Sequence, residues 1–286
     1  MRHAPAPFPP AAVFRLAWLL AGGALAACGG SSGGASDTDA AVVEGDAAGP
    51  EADAGVVCDE VNHRVNLPGP FACDAEPEFV TISASGVSYD VFKYEASHPL
   101  ATADLAFTCA VSQGVTLEAP KVATPACSKE GVRPWHSVRW DEAQAACEQT
   151  GEGWQLCTKE ELIRACEGPE GNTYTYGRQF DGTACNVRNV YSPANSGTTS
   201  EAPTGAFEDC HSSEGVYDAD GNLWEWASDR DPTDEKVRFY VGAGWMVNGA
   251  RYMEGDQACA TETKLPRSAY PTYATSFVGF RCCREH

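Results

Sequence analysis

The sequence predicts an exported α+β domain, loop-rich and stapled by disulfides. Three observations predict it. Two segments between residues 140 and 168 carry helix-capping signals and an apolar stripe, and residues 89–95 alternate like a strand. The chain after residue 168 is rich in Gly, Asn, Ser, Thr, Tyr and Trp without a helical period, and the whole contains 13 cysteines. Seven tryptophans and that cysteine number exclude a disordered chain. A mean hydropathy of −0.31 excludes a multi-pass membrane protein. Lys+Arg total 20 against 40 acids, a net charge of −20, which argues against a nucleic-acid partner because phosphate contacts need a basic face.

Arg2 and Arg15 precede an apolar run from Leu16 to Ala27. The run is too short for a bilayer core, which needs roughly 20 residues, and has the charge and length of a secretory signal. It ends in Leu25-Ala26-Ala27-Cys28, which resembles the lipobox of bacterial lipoproteins. That resemblance implies cleavage after residue 27 and lipidation of Cys28. The alternative is an ordinary signal with an incidental Cys28. A chain anchored by several acyl groups would sit in the bacterial cell envelope, at the outer membrane or cell surface rather than the inner membrane. Residues 28–57 hold six acids and, past Cys28, no aromatic or basic residue, so they read as a tether that cannot bury enough surface to fold. Residues 58–87 read as a cysteine-closed preface, and residues 88–286 as the domain.

With Cys28 assigned to lipid, twelve cysteines remain: Cys58, Cys73, Cys109, Cys127, Cys147, Cys157, Cys166, Cys185, Cys210, Cys259, Cys282 and Cys283. An even number in an exported chain reads as up to six disulfides. Structural zinc needs short paired spacings, and the sequence has scattered histidines and no Cys-x-x-Cys. The first helix is expected to open with Asp141 as N-cap and Gln144 at N3, to bury Ala143, Ala146 and Cys147, and to stop at Gly151. The second opens with the capping box Thr158-Lys159-Glu160-Glu161, continues through Leu162, Ile163, Ala165 and Cys166, and ends at Gly168. Each carries a cysteine near its C-terminal end, suited to a disulfide with a distant segment.

The order of local motifs carries a family resemblance. Val138-Arg139-Trp140-Asp141-Glu142-Ala143 leads into the first helix, and Leu156-Cys157-Thr158-Lys159-Glu160-Glu161-Leu162 opens the second. Tyr176-Gly177, Gly221-Asn222-Leu223-Trp224-Glu225-Trp226, Gly242-Ala243-Gly244-Trp245 and Gly279-Phe280-Arg281-Cys282 follow. Over roughly residues 88–284 this resembles the formylglycine-generating enzyme, or sulfatase-modifying factor, family, whose pattern includes GNxWEW, GGSW and GFRC in that order. The resemblance implies a single loop-rich α+β domain related to the C-type lectin fold. It also implies an oxidase that converts a sulfatase cysteine to formylglycine, using two cysteines that bind copper(I), a soft ion suited to thiolates. Here the equivalent stretch, between Trp245 and Ala258, has no cysteine: the first catalytic position falls on Val247, the second near Tyr252 or Glu254. Copper is therefore not expected, and the chain reads as leaning away from catalysis.

The resemblance further implies the disulfides Cys147–Cys282 and Cys166–Cys259. Proximity and motif position favour Cys58–Cys73, Cys109–Cys127, Cys185–Cys210 and Cys157–Cys283. It implies calcium at Asp218 and Glu225 with the backbone carbonyls of Gly221 and Leu223, donors that suit a hard cation. The alternative is a turn in which a buried Glu225 is satisfied by backbone amides. A weaker second calcium site would begin at Asn186 and Val187, its carboxylate position falling on Ser196. Trp224 and Trp226 read as packing residues. The function expected is an envelope-anchored lipoprotein whose domain binds a peptide, glycan or partner protein. The alternative is an oxidoreductase of the formylglycine-generating type.

Overall fold

The computed structural model describes residues 69–84, 86–107, 123–187, 191, 200–246, 258–264 and 275–286. Cys28, Cys58, Cys109, Ser196, Val247, Tyr252 and Glu254 lie outside them.

Among the described residues, ten short strands and two helices make an α+β domain in which irregular chain outweighs regular structure. The hairpin of β1 (Phe79–Ala84) and β2 (Val87–Phe92) lies in a four-stranded antiparallel sheet with β10 (Cys282–Glu285) and β5 (Gln155–Leu156), in the order β1-β2-β10-β5. Residues 79–84 thus pair with residues 87–92 in one sheet. A second sheet has the order β8-β7-β6-β9: β6 (Trp224–Asp231) pairs antiparallel with β7 (Asp234–Val241) and parallel with β9 (Val278–Phe280), and β8 (Glu262–Lys264) edges β7. The short strands β3 (Ala96–Ser97) and β4 (Cys127–Ser128) pair separately.

Alternation along the strands divides the core in two. On β2, Phe92 joins one buried cluster with Trp154, Trp226, Val278 and Phe280, while Val91 joins another with Ile82, Leu162, Ala227 and Phe239. On β10 the adjacent Cys282 and Cys283 face these same two clusters. Asp90 is also buried on β2, and Arg284 (2.6 Å) and Thr81 (2.7 Å) satisfy its carboxylate.

The helix α2 (Lys159–Glu167) begins as its capping box dictates. Thr158 Oγ1 accepts from the Glu161 N–H at 3.2 Å, and Glu161 Oε2 accepts from the Thr158 N–H at 2.6 Å. The helix α1 (Trp140–Thr150) starts two residues earlier than expected, with Arg139 as N-cap. Glu142 reaches back to the Arg139 N–H at 2.9 Å, and Asp141 is taken by the Arg139 guanidinium at 2.8 and 3.0 Å, so it is not the cap. Trp140 thereby enters the helix and donates its indole N–H to the Ala227 carbonyl at 2.7 Å.

Five disulfides are described: Cys147–Cys282, Cys166–Cys259, Cys157–Cys283, Cys185–Cys210 and Cys73–Cys127. The last corrects the expected Cys58–Cys73 and Cys109–Cys127 pairs. The chain after Cys73 lies along β4, where Glu78 N–H donates to the Ser128 carbonyl (3.1 Å) and Lys129 meets Asp74 (2.7 Å). This places Cys73 beside Cys127, whereas sequence proximity pointed each toward a nearer cysteine.

Two glycines are set by close approach. An added Cβ at Gly244 would lie 2.5 Å from Trp224 Cδ1, and at Gly279 it would lie 2.6 Å from Leu223 Cδ1 and 2.9 Å from the Trp135 carbonyl. Both motifs thus press backbone onto the residues of a third.

Candidate functional site

The segment 218–225 leads into β6 and is held by left-handed turns at Asp218 (φ 54°) and Asn222 (φ 57°), a conformation Asp and Asn tolerate better than other side chains. Asn222 is buried and forms a hub. Its Oδ1 accepts from the Ala202 N–H (2.7 Å) and Asn186 Nδ2 (3.0 Å), while its Nδ2 donates to the Ala202 carbonyl (3.1 Å) and Glu95 Oε2.

Three buried carboxylates surround this turn with one guanidinium. Glu225 Oε1 accepts from Arg281 Nε at 3.0 Å and Nη2 at 2.9 Å. Arg281 is 0 % exposed and also donates to the carbonyls of Phe92 and Tyr217, both at 2.8 Å. Glu95 Oε1 accepts from the Leu223 N–H at 2.9 Å, and Asp218 Oδ2 accepts from the Gly205 N–H at 2.7 Å. Burial pushes the Asp218 carboxyl up to about 7. Burial likewise holds the Glu95 carboxyl well above the usual range, and the charges of Asp218 and Glu225 raise it further. With all three ionised, the cluster would carry two uncompensated negative charges.

The structure thus places Asp218, Gly221 and Leu223 in one turn with Glu225 at the start of β6, and adds two residues that the sequence did not single out. Glu225 is satisfied by a guanidinium rather than by backbone amides. Glu95 was legible only as the end of an alternating strand, and Arg281 only as a motif letter. An arginine inside an otherwise apolar Gly-Phe-Arg-Cys run was the available signal for a buried ion pair. Of the weaker site, Asn186 is buried. Its carbonyl accepts from the Asn222 N–H (2.9 Å) and its Oδ1 from the Tyr191 N–H (3.2 Å), while Val187 packs beside Cys185 and Cys210. Trp226 is core, with its indole N–H on the Val138 carbonyl at 3.0 Å.

Among the described residues no group of three or more His, Cys, Asp or Glu side chains is placed to hold a metal ion. All ten described cysteines are in disulfides, Cys157 and Cys283 included.

The sulfatase-modifying factor enzyme 1-like domain model matches residues 55–286, most of the chain. The protein belongs to the sulfatase-modifying factor family. Relatives include the formylglycine-generating enzymes of Mus musculus, 26% identical over 171 residues (52% of this chain, 43% of that one), and of Bos taurus, 26% identical over 179 residues (54% and 45%). The chain therefore spans less than half the length of these relatives. PvdO from Pseudomonas aeruginosa is a solved structure similar to this chain, with 17% identity, a TM-score of 0.46, and coverage of 70% of this chain and 81% of that one. The family's motifs meet in the site just described. Gly279 presses on Leu223, Gly244 on Trp224, and Arg281 grips Glu225.

Proposed function

We propose that this protein is an envelope-anchored lipoprotein whose sulfatase-modifying factor domain is non-catalytic and binds a peptide, glycan or partner protein. The observation that carries this reading is the state of the cysteines. The stretch between Trp245 and Ala258 contains none, and every described cysteine elsewhere is oxidised in a disulfide. A disulfide offers no thiolate, and valine with tyrosine or glutamate offers no soft donor for copper(I). The formylglycine-generating relatives favour as a second reading an oxidoreductase acting on a protein cysteine.

Anchoring rests on Leu25 to Cys28. No described helix is long and apolar enough to cross a membrane. Cys28→Ala is expected to block maturation and move the protein from the membrane to the soluble fraction. Processing and fractionation like wild type would sink the lipid anchor.

Calcium fits the charge of the site. Three buried carboxylates face one guanidinium, and a divalent cation held by Asp218, Glu225 and the carbonyls of Gly221 and Leu223 would neutralise the excess. Bound there it supplies structural charge neutralisation. Asn186 and Val187 support a second calcium more weakly, because both Asn186 oxygens already accept hydrogen bonds. Calcium at about a hundred times its Kd should stabilise the fold by about 2.7 kcal/mol relative to chelator, raising the melting temperature. Equal melting with and without chelator, together with no calcium by elemental analysis, would remove the site.

A further inference from the structure

The strand β1 (Phe79–Ala84) is outermost in its sheet, whose order is β1-β2-β10-β5. Two bonds fix which way its backbone faces. The Lys93 N–H donates to the Glu78 carbonyl at 2.9 Å, and on the other side of β2 the His286 N–H donates to the Ser88 carbonyl at 3.1 Å. Backbone groups alternate sides along an antiparallel strand, so Tyr89 and Val91 turn theirs to β1 while Ser88 and Asp90 turn theirs to β10. The register pairs Val80 with Val91 and Ile82 with Tyr89, which leaves the N–H and carbonyl groups of Phe79, Thr81 and Ser83 on the outer side. Among the described residues no backbone bond reaches them there. Phe79 is 45 % exposed, and Thr81 and Ser83 are exposed as well.

Exposed edges template pairing with other chains, and proteins blunt them with charge, proline, bulges or short length. β1 has none of these. It is six residues long, reads Phe-Val-Thr-Ile-Ser-Ala, and keeps an unbroken register along β2. The edge of the other large sheet is built differently: β8 has three residues, two of them the charged Glu262 and Lys264. At the remaining ends β5 has two residues and β9 three. The long, uncharged edge is the exception among the described strands.

Charge beside this edge says what fits it. Asp74, Glu76 and Glu78 stand just before β1, and all three are exposed. Lys129 meets Asp74 at 2.7 Å and Lys93 meets Glu78 at 3.4 Å, while no described residue forms an ion pair with Glu76. Arg284 lies 5.5 Å over the Phe79 ring, but its guanidinium is held by Asp90 at 2.6 Å. The chain carries a net charge of −20, so a second copy would approach against repulsion and a basic segment would be drawn in. We propose that β1 is a docking strand, to which an extended segment of a partner protein adds in a β-ladder. That segment is β-branched at its centre and flanked by Lys or Arg. The ladder supplies affinity through the backbone, and the acids before β1 select the charge. The proposal rests on the reading that this domain binds a peptide or partner protein, and gives that binding a place.

The probe is the peptide Lys-Lys-Val-Thr-Val-Thr-Val-Lys-Lys, which presents lysines in either strand direction, and its control carries glutamate for every lysine. Titrated into the full chain at low ionic strength, the basic peptide is expected to bind saturably and the acidic one at least about tenfold more weakly. Bound peptide should slow amide exchange at Phe79, Thr81 and Ser83 and leave Val80 and Ile82, which already face β2, unchanged. Ser83→Pro removes an outward N–H without touching the ladder to β2, and should weaken binding about tenfold. Glu76→Lys, a change at an exposed position, should weaken it about threefold. If Ser83→Pro does not fold, Glu76→Lys and the exchange pattern decide. No saturable binding below about 1 mM, equal affinity for the two peptides, or unchanged affinity in Glu76→Lys would overturn the proposal. Binding with protection elsewhere would overturn this location and leave the binding reading standing. A free protein that sediments as a dimer with these three amides already slow would also overturn it, because a second copy would then occupy the edge.

Discussion

Replacing Arg281 by methionine is expected to cost about 4 kcal/mol at pH 7, because it removes the cation and leaves its partners buried. Arg281 is fully buried, and its guanidinium bridges Glu225 at the start of β6, Phe92 at the end of β2, and Tyr217. Methionine fills similar space but strands Glu225, whose charge raises the proton affinity of both Asp218 and Glu95. Lysine at this position keeps the charge without the fork, so Arg281→Lys should recover only part of the loss. In calcium-free buffer the defect should also depend on pH. The Asp218 carboxyl takes up its proton near 7 when folded and near 4 when unfolded. Between those values the folded state binds more protons, so this group favours folding as pH falls and opposes it as pH rises. Because the Arg281 charge holds down the proton affinity of Asp218, its loss raises that affinity further, and Arg281→Met should be less damaging at pH 5 than at pH 7. Denaturant midpoints at the two pH values measure this, and an unchanged midpoint at pH 7 would contradict the ion pair.

Removing Cys147–Cys282 by a double serine substitution is the other large effect expected. The bond closes 135 residues and its neighbour Cys157–Cys283 closes 126. The chain-entropy model gives about 5 kcal/mol for each, against about 3.5 kcal/mol for Cys185–Cys210 with its separation of 25. The adjacent Cys282 and Cys283 point to opposite faces of β10, so one strand seals both buried clusters. At roughly 2–4 °C per kcal/mol for a domain of this size, loss of Cys147–Cys282 should lower the melting temperature by 10 °C or more, and loss of Cys185–Cys210 by less. The reverse order, or free thiols at Cys147 and Cys282 in a non-reducing peptide map, would overturn this assignment.

What the sequence made legible follows the range of the interaction. The capping box of α2 lies within four residues and could be read directly from Thr158 and Glu161. At α1 two caps were locally possible, and the Arg139 guanidinium decided between them by holding Asp141 and freeing Glu142 for the backbone. Of the disulfides to β10, Cys147–Cys282 was legible through the family resemblance and Cys157–Cys283 through its motif position. Cys73–Cys127 was not, because it follows from Glu78 lying beside Ser128, a contact no local pattern encodes. The candidate site divides in the same way. Its turn, Asp218 to Glu225, is contiguous and was visible. Glu95 bonds Leu223 across 128 residues and Arg281 bonds Glu225 across 56, so both depended on sheet topology.

We read this chain as keeping the family's scaffold without its copper–thiolate chemistry. The most direct measurement incubates the purified protein with a sulfatase-motif peptide, Cys-x-Pro-x-Arg, together with copper, reductant and oxygen, and reads the peptide by mass spectrometry. No aldehyde above a metal-free control is expected. Copper-dependent formation of formylglycine would contradict it and would mean that a thiolate pair is assembled at positions other than Val247 and the Tyr252–Glu254 region.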